Sequence, residues 1–121
     1  MAGNIITTVM NAYAAGERII RENVVNDQDV YEVYKVVVGA ASNVTVNMVT
    51  AVTNLLAIKA SDYTLTTYKI HNSSGTPIVL DNMHMFNGYD MCAKLGTLDA
   101  IVLYNGSASP ITVTILRARA K

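Results

Sequence analysis

The chemically richest stretch of the chain is Asp81-Asn82-Met83-His84-Met85-Phe86-Asn87-Gly88-Tyr89-Asp90-Met91-Cys92. Met, His and Cys are soft ligands that suit copper. A blue-copper site needs a Cys with a His and a Met a few residues downstream and a second His upstream. Nothing after Cys92 supplies a His or a Met, and the only two histidines are His71 and His84, so that pattern fails. Met83, Met85, Met91 and Cys92 hold the ligand types of a Cu(I) site, but Met more commonly fills irregular gaps in a core. Cys92, His84 and Asp90 are the residue types of a thiol triad, without a nucleophile signature around the Cys. A buried Cys acting as a small hydrophobe is the default. Asp81 and Asp90 contain a possible carboxylate pair, yet turn acids are common because Asp caps its own backbone. The sequence has no Walker loop, dinucleotide fingerprint, CxxC or HExxH. The expectation is a protein without catalytic, cofactor-binding or metal-binding residues.

Sugar binding is the alternative with residues to support it. Seven tyrosines are available (Tyr13, Tyr31, Tyr34, Tyr63, Tyr68, Tyr89 and Tyr104), with abundant Asn and Asp. Against it, tryptophan is absent, and most of the tyrosines fall inside strand-like segments, where half-buried packing is their ordinary use.

These side chains must be positioned by one domain of 121 residues, a size that buries about two thirds of its unfolded surface. The chain is 51% hydrophobic and only 15% charged, well below the roughly one quarter charged of an average globular chain. So few charges imply that a partner covers some apolar surface. The net charge is zero, which gives no electrostatic case for nucleic acid or a membrane surface. The single cysteine allows no intrachain disulfide. The N-terminus lacks the basic-then-apolar pattern of a signal peptide, and no apolar run is long enough to span a bilayer. The Asn-x-Ser/Thr triplets at Asn43, Asn72 and Asn105 are therefore read as turn chemistry, not glycosylation sites.

The elements are strands. Ile70–Leu80 aligns without a gap onto Leu103–Val113, Pro77 falling on Pro110. Each copy reads as strand, Asn/Ser/Gly turn, Pro, strand, and so as a hairpin. Val30–Val38 is β-branched and aromatic, and Val44, Val46 and Met48 alternate with polar residues. Leu55–Lys59, Tyr63–His71 (with a parity switch at Thr66-Thr67 read as a β-bulge), Ile78–Leu80, a segment near Met91–Lys94, Ala100–Tyr104 and Ile111–Leu116 complete the set. About eight short strands at regular spacing predict an all-β, two-sheet antiparallel β-sandwich, jelly-roll-like. Residues 1–29 are expected to be separate: an N-terminal arm or short helix and linker, with Ile5, Ile6, Val9, Met10 and Tyr13 at helical spacing and Gly16 interrupting it. Residues 30–121 are the sandwich domain. Ile111, Val113 and Ile115 share parity with Arg117, Arg119 and Lys121, which predicts a strand leaving the core at Leu116 and a basic tail for an acidic partner.

A Cys-poor β-sandwich with an N-terminal arm, and hairpins of the type Ile101-Val102-Leu103-Tyr104-Asn105-Gly106-Ser107 followed by Ser-Pro and Ile111-Thr112-Val113-Thr114-Ile115, resembles the capsid decoration (cement) proteins of tailed bacteriophages and related small head or tail proteins. The likeness covers roughly residues 30–117. It implies a virion structural protein made in the host cytoplasm, a homotrimer on the capsid surface that clamps adjacent major capsid subunits, with no nucleic acid, membrane or small-molecule substrate. On this reading Ile5, Ile6, Val9, Met10 and Tyr13 anchor the arm on the shell, and Arg117, Arg119 and Lys121 form a second contact.

Overall fold

The structure, a computed structural model, describes residues 4–28, 30–71 and 76–120. It contains strands β1 (Asn4–Ala14), β2 (Glu17–Gln28), β3 (Val30–Val38), β4 (Ser42–Asn47), β5 (Thr53–Ala60), β6 (Thr66–Ile70), β7 (Ile78–Val79), β8 (His84–Asn87), β9 (Ala100–Asn105) and β10 (Ile111–Arg119), with one short helix, α1 (Tyr89–Ala93).

From β3 onward the strands fold back on themselves in nested order. β3 pairs with β10, β4 with β9, β5 with β8 and β6 with β7, all antiparallel. Two further pairings, β10 with β5 and β6 with β9, roll this long hairpin up. The result is two sheets, β3-β10-β5-β8 and β4-β9-β6-β7. This is a jelly roll, the expected two-sheet antiparallel sandwich. Leu56, Ile58, Tyr68, Leu80, Ile101, Leu103, Val113 and Ile115 fill the space between the sheets. Period-2 alternation explains the choice: on β10, Ile111, Val113, Ile115 and Arg117 are buried while Thr112, Thr114 and Leu116 between them are partly exposed.

Four expectations are corrected. Residues 4–28 are neither a helix nor a single arm but a β-hairpin, β1 pairing with β2 from Asn4↔Gln28 to Ala14↔Glu17. Ala15 and Gly16 form its turn with φ of 51° and 80°, the two positive values of a type I′ turn. The glycine that breaks a helical pattern is what closes the hairpin. Second, the two halves of the sequence repeat do different jobs. Ile70–Leu80 joins neighbours of one sheet, β6 and β7, whereas Leu103–Val113 arches from β9 in one sheet to β10 in the other. Third, no bulge is needed at Thr66-Thr67, because the strand begins at Thr66. The preceding residues turn, with the Asp62 carboxylate accepting hydrogen bonds from the Thr64 amide and hydroxyl at 2.8 and 2.6 Å. Fourth, Met91–Lys94 is not a strand: Met91, Cys92 and Ala93 belong to α1, and the local strand is β8. Gly88 at φ 103° makes the sharp entry to that helix.

Asn105 locks one rim of the roll. It is fully buried. Its amide nitrogen donates to the carbonyls of Val38, Gly39 and Ser109 at 3.1, 3.2 and 2.8 Å, and its oxygen accepts from the Ser107 amide and hydroxyl at 2.9 and 2.7 Å. One side chain thus joins the β3–β4 turn to the β9–β10 arch. Asn105→Asp turns an oxygen toward those carbonyls, and equilibrium urea unfolding is expected to show a loss of about 2–3 kcal/mol. An unchanged midpoint would show that the rim holds without it.

Candidate functional site

The reactive segment 81–92 ties His84 to Tyr68 and Asp81. The Tyr68 hydroxyl lies 2.8 Å from His84 Nδ1, and His84 Nε2 lies 3.0 Å from Asp81 Oδ1. A neutral imidazole donating Nε2–H to Asp81 and accepting the Tyr68 hydroxyl at Nδ1 satisfies both contacts. The His84 ring stands edge-on to Tyr68 and Phe86, with centroids 5.6 and 6.5 Å away. Tyr68 is fully buried, and burial, with the Asp81 charge adding to it, pushes its phenol up to about 12. The chain of bonds therefore pins β6 of one sheet to β8 of the other and offers no substrate an approach to the phenol. Cys92 is buried too, its thiol donating to the Phe86 carbonyl at 3.3 Å and pushed upward by burial. His84 is thus engaged by Tyr68 and Asp81, not by Cys92. His71 makes a separate rim contact with Asp99 at 2.6 Å. Among the described residues no three His, Cys, Asp or Glu side chains gather as a metal site.

The basic C-terminal residues stand elsewhere than expected. β10 does not leave the core at Leu116 but continues to Arg119. Arg117 is fully buried. It donates to the Thr53 hydroxyl at 2.9 Å and to the carbonyls of Val49 and Ala51 at 2.6 and 3.2 Å, and its guanidinium lies 3.6 Å from Glu32. Arg119 donates to Glu32 at 2.8 Å, as does the Tyr34 hydroxyl. Neither arginine is free for a partner, so the tail contact assigned to Arg117 and Arg119 is replaced by an internal clasp across the β4–β5 crossing. Lys121 lies outside the described residues. Beside the clasp, a shallow groove of about 550 Å³ runs between residues 50–53 and α1, lined by Thr50, Val52, Tyr89, Ala93, Thr97 and Leu98.

Besides this groove, the surfaces open to function include the two outer sheet faces and the hairpin. The register of β3, β10, β5 and β8 sets Val33, Leu116, Ala57 and Met85 in one row across the first sheet. Val33 and Val37 are 58% and 65% exposed, and Tyr31 and Met83 are also open to solvent. A shallow depression of about 230 Å³ lies among Ala57, Met83, Met85 and Leu116. The second sheet is mixed outside: Asn43, Tyr104, Thr67 and the exposed Val79 share a row, and Asn43, Tyr104 and Thr67 line a groove of about 200 Å³ with Lys69, Pro77 and Val102. The predicted arm anchors Ile5, Ile6, Val9, Met10 and Tyr13 all fall on β1, where their backbones pair with Asp27, Asn26, Asn23, Glu22 and Arg18. The apolar outer face was missed in the sequence. Its signal is that β3 is apolar at both parities, which a half-exposed strand is not.

Against known proteins, the chain matches no family model, no curated protein and no solved structure.

The clasp has a pH dependence. Burial alone raises the Glu32 carboxyl, but the hydrogen bonds from Arg119 and Tyr34 and the charges of Arg119 and Arg117 outweigh it and hold it below its ordinary 4.5. A depressed carboxyl contributes stability that is present above 4.5 and lost as the pH falls through its folded value. Urea unfolding between pH 7 and 3 is expected to show that acid limb, and Glu32→Gln is expected to flatten it. An identical acid profile in the variant would assign the limb to other carboxylates. Arg117→Lys keeps the charge but cannot reach three acceptors, and is expected to cost about 2–4 kcal/mol at pH 7.

Proposed function

We propose that this chain is a non-enzymatic virion structural protein, a capsid decoration protein that binds and stabilises a phage head by clamping adjacent major capsid subunits. The observation that carries the reading is the exposure of Tyr31, Val33, Val37 and Met83 on the outer side of the β3-β10-β5-β8 sheet, on a jelly roll whose polar clusters are spent on internal bonds. Exposed valines on one sheet face of a small domain with few charges suit a protein surface that covers them. Jelly rolls serve as building blocks of viral shells. The β1–β2 hairpin supplies the reach that an arm would, as a two-stranded sheet of its own. A homotrimer presenting several such surfaces binds a repeating lattice tightly through individually weak contacts.

A second reading has one specific observation in its favour. Tyr104, 44% exposed, sits with Asn43, Thr67 and Lys69 around a groove of about 200 Å³, an aromatic plane with amide, hydroxyl and ammonium groups beside it. That combination is what a sugar ring requires, and it would make the chain a carbohydrate-binding module.

The readings separate experimentally. Immunogold labelling and mass spectrometry of virus particles purified from the source that encodes the chain are expected to place it on heads, and stripping it is expected to lower the temperature at which heads open. Particles free of the chain would overturn the decoration reading. Glycan-array binding abolished by Tyr104→Ala would establish the alternative; an array without signal would remove it.

A further inference from the structure

We propose that the exposed apolar face of the β3-β10-β5-β8 sheet seats the β1–β2 hairpin of a second copy of this chain. The inference deepens the structural reading above by naming the occupant of the face, and takes its setting from that reading.

The face is already covered at one end. Leu55 and Ala118 lie opposite each other in the row that begins at Tyr31. They alternate with Leu56 and Arg117, which face the interior, so they point outward, yet both are fully buried. The strand that comes close to both β5 and β10 is β2. Hairpin backbone therefore packs on this face at its root. In the adjoining row Val33 is exposed, Leu116 and Met85 are half-buried and Ala57 is buried.

A chain's own hairpin cannot extend over that open part. One residue separates Gln28, the end of β2, from Val30, the start of β3, and reversing a strand takes a loop of at least about two residues. The hairpin therefore meets the sheet only at the end where β2 nears β5 and β10, which leaves the exposed Val33 and Val37 to a second copy. The hairpin needs a cover as much as the face does. Residues 4–28 include Ile5, Ile6, Val9, Met10, Ile19 and Ile20, and an isolated two-stranded hairpin is marginal in water.

Size and charge agree. A hairpin of this length is about 37 Å long and about 10 Å wide. Reciprocal seating of hairpins on faces buries on the order of 1,300 Å² in all, inside the range of specific interfaces. Lys35 and Lys59 share the next row of the face with Thr114, and the hairpin carries Glu17, Glu22 and Asp27 against Arg18 and Arg21.

The experiment uses the full chain. Light scattering behind a sizing column is expected to give a dimer or trimer; a monomer at every concentration overturns the inference. The paired substitution Val33→Thr with Val37→Thr keeps strand propensity and shape while removing apolar surface, and is expected to weaken association 10-fold or more with an unchanged far-UV spectrum. Thr45→Lys on the opposite sheet is expected to leave the mass unaltered. A benzophenone amino acid at position 33, in a mixture of isotopically heavy and light chains, is expected to cross-link to peptides from residues 4–28 of the other copy. Cross-links to sandwich peptides instead, or unweakened association in the threonine pair, overturn it. Association of this kind in a protein that virus particles lack would end the decoration reading alone. A monomer found on heads would end this inference alone.

Discussion

The buried guanidinium of Arg117 is the interaction on which the rest of this jelly roll hangs. Rolling a long hairpin into two sheets forces the chain to cross between them repeatedly, and each crossing exposes backbone carbonyls at the mouth of the core. At the β4–β5 crossing those carbonyls are Val49 and Ala51, and Arg117 meets both while also donating to Thr53. A planar, permanently charged fork with five donors suits such a cluster; no apolar side chain could satisfy it. The charge is balanced within the same end of the sandwich by Glu32, which Arg119 and Tyr34 hold in place. Because Arg117 lies on β10, the central partner of both β3 and β5, the clasp also fixes the register of the sheet whose outer face is apolar.

That architecture commits His84 and Cys92 of the reactive segment to structural bonds. Acid–base groups do useful work when they reach both solvent and substrate; the His71–Asp99 pair is exposed at the rim, while His84 and Cys92 are engaged internally. His84 joins Tyr68 to Asp81, and Cys92 donates to a carbonyl beneath the helix. What remains available besides that pair is area: an apolar sheet face, a mixed sheet face carrying Tyr104, and a long hairpin.

Legibility in the sequence followed the range of the forces involved. Val30–Val38 was readable to the residue because β-branched alternation is a local signal, and the sandwich followed from the number and spacing of such runs. The hairpin was not readable because Ile5, Ile6, Val9, Met10 and Tyr13 fit a helical repeat, while the decisive residue, Gly16, acts through its backbone angle and looks the same as a helix breaker. The helix at 89–93 was missed because one turn carries no periodicity. Arg117 and Arg119 were misplaced for a different reason. A basic residue on an apolar parity reads as a strand leaving the core unless its acceptors are known, and those acceptors are carbonyls near position 50 and a carboxylate at position 32. Nothing local announces such a contact.

The same distinction explains why the outer face escaped notice. A strand apolar at both parities belongs either to a buried sheet or to a sheet that something else will cover. β3 is an edge strand of an outer layer, so the first explanation is closed to it. The charge deficit of the whole chain, 15% where about a quarter is usual, shows on this face as the exposed Val33, Val37 and Met83 and elsewhere as Val49, Val52, Leu65 and Val79. The composition and the register therefore describe one fact from two sides. On the proposed association, the chain is short of charges because part of this outer face is covered by another chain.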